Sequence, residues 1–312
     1  MAVTTTTQLN PNPSNYFDRV LWDREKRFDV YNLFGQVRRL PMKNSKTLTV
    51  RRFDNLDDTP AVLTEGVTPA LETVTKADVN IVIQEFGKVV ALTDQVIIED
   101  QSDDANEVAD MLSQNMFEML DKVTRNTLAA TSTQFDAVNG VNGLTPTEIT
   151  LADQDVVVDW LLGNSGKRFT PDIRGTLAFG SNPVEAAFWA IISTDLRKDV
   201  RSLAPFFPVS QYPRDEALQS ELGSVDEVRY VMTSAGYKTS GDPDIYYNMY
   251  FAQNAYGIAD IDEVATEMII KPLGWGEDYL NQRQTMGWKG FFGAAVVVDE
   301  WMAVLRCTKS DG

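Results

Sequence analysis

Histidine is absent from all 312 residues, and cysteine occurs once, at Cys307. Without histidine there is no Ser-His-Asp triad, no Cys-His dyad and no His-ligated metal site. A single cysteine excludes disulfides within the chain and CxxC-type redox or metal sites. No stretch approaches the roughly 20 uninterrupted apolar residues of a membrane span. The opening Met1-Ala2-Val3 and its four threonines lack the basic and apolar regions of a secretory signal. What survives is carboxylate chemistry, Ser-Lys chemistry, oxygen-ligated cations, or no chemistry.

Composition is that of an ordinary folded protein, with 43% hydrophobic and 23% charged residues. The length fits about two domains, or one elaborate domain. Charge is unevenly spread. The net value is −17, yet residues 1–53 hold ten basic residues against Asp18, Asp23, Glu25 and Asp29, or +6. An acidic chain repels nucleic acid, because phosphate binding depends on Lys and Arg. The basic segment is better matched to an acidic protein surface, including another copy of the chain.

Residues 1–15 are uncharged, with Pro11 and Pro13, and read as an end that orders on a partner. Residues 16–40 mix apolar and basic positions before Gly35 and Pro41, and read as an arm. Alternation predicts strands over 46–53 and 79–98. Between them, residues 54–75 carry five acids and neither Lys nor Arg. A connection of that length far exceeds the usual 4–6 residues and predicts a two-stranded excursion needing a neighbour's contact.

Val108, Leu112, Met116, Leu120 and Val123 form one stripe, predicting a helix over 103–130. Asn139-Gly140 and Asn142-Gly143 mark tight turns. Thr150 begins a second helix with Asp153 at the capping-box position, ended by Gly163. A short strand is expected over 175–180 and a third helix from Pro183 to about Arg201. Strands follow at 225–234, 244–252, 267–273, 290–298 and 301–307. Without a regular βαβ rhythm the fold class is α+β.

Candidate chemistry is weak throughout. Gly163 to Arg168 has Leu161 and Arg168 where a phosphate loop needs Gly and Ser/Thr, and reads as a helix C-cap. Asp54, Asp57 and Asp58 lack calcium-loop spacing and read as a solvated loop. Glu277 and Asp278 beside Trp275 are the best pair for a carboxylate glycoside hydrolase, the rival from another class. Cys307, on an apolar strand, reads as a buried small hydrophobe. No catalytic residue, cofactor or metal is expected.

Several strings occur in a characteristic order. They are Thr64-Glu65-Gly66-Val67-Thr68-Pro69, then Gln84-Glu85-Phe86-Gly87-Lys88 through Thr93-Asp94, and Glu221-Leu222-Gly223-Ser224-Val225 before Val228-Arg229-Tyr230-Val231. Lys271-Pro272-Leu273-Gly274 and Gly287-Trp288-Lys289 follow. From about residue 16 to 308 the chain resembles the major capsid proteins of tailed bacteriophages, in the branch typified by the coat protein of coliphage N-four. The resemblance implies the HK97-like fold: an N-terminal arm (1–45), an E-loop hairpin (54–78), a spine helix (103–130) and an axial domain (175–266). A peripheral domain would combine 46–53, 79–174 and 267–312. It also implies a structural subunit that assembles as pentamers and hexamers into an icosahedral virion capsid around double-stranded DNA without gripping it.

Scaffolding, portal and decoration proteins are the implied partners, no membrane is involved, and synthesis is in the host bacterial cytoplasm. No fused scaffold is expected before the arm. A fold-sharing alternative is an encapsulin-type cellular compartment. Expected inter-subunit contacts are Phe17, Trp22, Arg38 and Arg39 on the arm, and Asp57, Asp58 and Glu65 on the excursion.

Overall fold

The computed structural model describes residues 29–41, 45–53, 56, 59, 62, 65–66, 68, 71–99, 104–170, 185–212, 217–261, 266–276 and 278–310. The first half contains β1 (Gln36–Leu40), β2 (Thr47–Phe53), β3 (Lys76–Val82), β4 (Gln84–Thr93), α1 (Asp94–Glu99), α2 (Asp104–Ala129), β5 (Gln134–Asp136) and α3 (Leu151–Gly163). Then come β6 (Phe188–Ser193), α4 (Arg197–Ser202), β7 (Phe206–Pro208), β8 (Glu221–Val225), β9 (Val228–Thr233) and β10 (Lys238–Thr239). The last strands are β11 (Ile245–Phe251), β12 (Tyr256–Ile261), β13 (Thr266–Lys271), β14 (Arg283–Val296) and β15 (Met302–Thr308).

Three sheets result. One has the order β1-β12-β14-β13, with β4 on the other side of β14; a second runs β5-β15-β11-β6-β9-β8-β7 with β10 beside β11; β2 and β3 form a hairpin. Pairing is mixed: β1–β12, β5–β15 and β6–β9 are parallel, the other ladders antiparallel. That is the α+β class. β5, α3 and β15 join the core of β6, β9 and β11, whereas β1 and β12 belong to the sheet of β4 and β14.

α2 forms because its apolar stripe has a sheet to cover. At 26 residues it is about 39 Å long. Leu112 packs with Leu92, Met286 and Trp288 on β4 and β14. Leu120 and Leu128 reach a second cluster with Trp189, Val231, Met249, Tyr256 and Val304, so this helix ties the two larger sheets together. α3 starts as its sequence specifies: the Thr150 hydroxyl accepts from Asp153 N at 3.4 Å, and the Asp153 carboxylate accepts from Thr150 N at 3.0 Å.

Four expectations need correction. Residues 94–99 are helical, because β14 begins at Arg283 opposite Thr93 and offers no ladder beyond it. Asp94 also accepts from Gln95 N at 2.8 Å and sits at the favoured end of the helix dipole. The expected helix from Pro183 is in its central part β6, whose six residues are all buried between β9 and β11. Only Arg197–Ser202, after a short turn capped by Ser193, is α-helical. Asn139 and Gly140 make the left-handed turn (φ 53° and 83°), whereas Asn142 uses its side chain to accept from Asp136 N. Gly163 lies inside α3, and the left-handed residue past its end is Ser165 (φ 56°). The strand expected at 175–180 and Pro183 itself lie outside the described residues.

Candidate assembly surfaces

The arm's root is built into the body. Val30 and Tyr31 are buried, and Asp121 on α2 accepts from Tyr31 N at 2.8 Å and Asn32 N at 3.2 Å. The Tyr256 hydroxyl donates to the Tyr31 carbonyl at 2.6 Å. Burial, with the nearby charge of Asp29, pushes the Asp121 carboxyl up to about 6 against the pull of the Tyr31, Asn32 and Val30 N–H groups. β1 then pairs with β12 from Gln36↔Gly257 to Leu40↔Ile261. Gly35 is needed here, since a Cβ would fall 2.5 Å from Ile258 Cδ1.

Of the expected contact residues, Arg38 and Arg39 lie exposed on β1, and Arg39 Nε stands 3.9 Å from Asp260 of the same chain. Phe17, Trp22, Asp57 and Asp58 lie outside the described residues. Glu65 is exposed in a turn with Gly66 (φ 78°). β2 and β3 pair from Thr47↔Val82 to Phe53↔Lys76 and carry the acidic excursion between them. Arg51 holds Asp78 across that hairpin at 2.8 Å and raises its own pKa while lowering that of Asp78. Arg52 reaches Glu300 at 3.2 Å. Three cations of the basic segment are therefore engaged within the chain.

Apolar side chains project where no described element covers them. On the excursion, Val62 and Leu71 are more than 90% exposed. The loop from 272 to 282 exposes Leu273, Trp275, Tyr279 and Leu280. Sequence reasoning missed this loop as a surface, although its alternation of Gly, Trp and Tyr between two strands was the available signal. Asp121 was also missed; it has no local signature.

The enzyme candidates fare differently. Trp275 is an exposed ring under Lys271 Nζ, 4.2 Å from its centre, and Asp278 accepts from Arg283 N at 2.9 Å. That carboxylate is held below its ordinary range by the N–H groups of Arg283, Gln282 and Gly274, which outweigh its desolvation. Glu277 lies outside the described residues. Gly166 N and Ser165 N donate to Leu161 and Leu162 carbonyls, so the phosphate-loop-like string is a helix C-cap. Cys307 is buried, and burial pushes its thiol up to about 12. Among the described residues there is no catalytic or metal-binding motif, no cluster of three metal-ligating side chains, and no helix long and apolar enough to cross a membrane.

A family model described as phage capsid protein matches residues 72–307. No curated protein matches the sequence. Among solved structures, the fold is similar to a chain from the capsid of cyanophage P-SCSP1u, with TM-score 0.64 and 12% identity over 95% of this chain and 93% of that one. A chain of the cyanophage Pam1 capsid gives TM-score 0.64 and 13% identity over 100% and 99%. A chain from the capsid of Ralstonia phage GP4 gives 0.64 and 11% over 96% of each. With the family's model covering about three quarters of its length, this chain belongs to the family described as phage capsid protein, and it shares its α+β fold with capsid chains of these three phages.

Proposed function

We propose that the chain is the major coat subunit of a tailed phage, assembling as pentamers and hexamers into an icosahedral shell around double-stranded DNA. The observation that carries this reading is the pair of uncovered apolar side chains, Val62 and Leu71, on the acidic excursion of a chain of the phage capsid family. In this reading α2 is the spine helix, the β2–β3 hairpin carries the E-loop, and the eight-stranded sheet faces the capsomer axis. The ordered strings from Glu65 to Lys289 support the N-four type branch.

Phe17, Trp22, Arg38 and Arg39 contact a neighbour's excursion through Asp57, Asp58 and Glu65, with charge setting register and apolar contact supplying most affinity. A chain of net charge −17 lines a container that does not grip its genome, so DNA entry needs a portal and motor, and assembly in the bacterial cytoplasm draws on a scaffold. Negative-stain microscopy with sedimentation velocity tests this. Closed shells, or rings of five or six subunits, are the expected species. A monomer that persists with the scaffolding protein present overturns the reading.

A further inference from the structure

The loop between β5 and α3 holds the only two Asn-Gly pairs of the sequence, in the consecutive triplets Val138-Asn139-Gly140 and Val141-Asn142-Gly143. An asparagine ahead of glycine carries its own reagent. The next backbone nitrogen can attack the side-chain amide, because glycine has no Cβ to shield it. The loop itself is firmly built: Thr147 N donates to the Ala137 carbonyl at 2.7 Å, and the Thr147 carbonyl accepts from Thr308 N on β15 at 2.9 Å. Both asparagines are nonetheless exposed, so water reaches each of them.

The two triplets share a sequence and differ at the atoms such an attack uses. At the first, the attacking nitrogen is occupied: Gly140 N donates to Asp153 Oδ1 at 2.7 Å, and Asn139 is fixed in the left-handed region (φ 53°). That bond runs to a charged acceptor and has to break before attack. At the second, among the described residues, nothing accepts from Gly143 N. Asn142 Oδ1 accepts from Asp136 N at 3.0 Å. This donor sits on the oxygen where negative charge develops as a nitrogen adds to the amide carbon, the placement that lowers such a barrier. It also orients the side chain by its oxygen and leaves Nδ2, the departing group, unengaged among the described residues. A Cβ at 143 would lie 2.6 Å from Val138 Cγ2, so the packing of the loop itself keeps an unshielded nitrogen after Asn142.

We propose that Asn142-Gly143 is a self-modification site, closing to a succinimide that water opens to aspartate or isoaspartate, and that Asp153 protects Asn139 from the same change. Gly143 N bonds to Asn142 Cγ, the Cγ–Nδ2 bond breaks, and Nδ2 leaves as ammonia with the proton that Gly143 N gives up. Water then adds to one of the two ring carbonyls and breaks its bond to the ring nitrogen. The balance is amide plus water to carboxylic acid plus ammonia, with nothing oxidised or reduced. Each event adds a negative charge to the loop. Opening towards isoaspartate also lengthens the main chain between β5 and Thr147, the residue that ties this loop to β15.

The change needs no partner, so the purified chain tests it, whatever it assembles into. Folded protein, and the same protein unfolded in urea, are aged in mildly alkaline buffer made with heavy-oxygen water. Both are then digested and sequenced by tandem mass spectrometry, where the heavy oxygen marks each new carboxylate. In urea the two identical triplets should convert at similar rates, which supplies the reference. In the folded protein Asn142 should convert roughly tenfold faster than Asn139, the rate factor for first breaking one hydrogen bond to a charged acceptor. Equal rates in the folded protein, or a lead at Asn139, overturn the proposal. So does an Asn142 that stays intact in the folded protein over the time in which the unfolded chain converts.

Discussion

At the scale of single residues, two buried charges act in opposite ways. Asp121 is held near 6 by burial and Asp29, while in an unfolded chain it titrates near 3.8. Between those values the folded chain binds more protons, so the stabilisation from Asp121 is complete below about 3.8 and lost as pH rises through about 6. The loss amounts to about 3 kcal/mol. Asp121→Asn keeps an acceptor for Tyr31 N and removes the titration. Melting curves of this variant should lack the wild-type decline between pH 4.5 and 6.5; parallel curves would show that Asp121 does not titrate there. Arg229 and Glu221 form a buried pair at 2.7 Å, with Arg229 also 4.4 Å above the Trp189 ring. Glu221→Ala strands that guanidinium, and denaturant unfolding should lose about 3–5 kcal/mol, far more than for a surface pair.

At the scale of elements, α3 depends on one side chain doing several tasks. Asp153 caps the helix through Thr150 and also accepts from Val138 N at 3.0 Å and Gly140 N at 2.7 Å, fixing the preceding turn. Asp153→Ala should therefore cost more than the roughly 1 kcal/mol of a simple cap loss, and Thr150→Ala about that much. Urea midpoints of the two variants, with unchanged slopes, check the order. The capping box was legible in the sequence, as was α2, a helix of 26 residues. β6 was not. Phe188-Trp189-Ala190-Ile191-Ile192 is apolar on every side, so periodicity cannot separate strand from helix until neighbours on both edges are known.

At the scale of the whole molecule, charge is the readable variable. The sequence sets a +6 segment against an acidic excursion, but Arg39, Arg51 and Arg52 meet Asp260, Asp78 and Glu300 at home. Reversing Asp57 and Asp58 to lysine should slow assembly severalfold at low salt and little at high salt, where exposed charges are screened. Light scattering from low to high ionic strength measures this, and identical rates for wild type and variant at low salt would sink the electrostatic register.

The parallel pairing of β1 with β12 has a consequence for how the chain is born. Gln36 meets Gly257, some 220 residues later. At about 5–20 residues per second a ribosome needs roughly 10–45 s to cover that interval. For all that time each nascent chain trails an unpaired strand edge, open to any sister chain on the same message. Tyr31 and Asn32 can reach Asp121 long before β12 emerges, which tethers the edge to its own helix and shortens its reach.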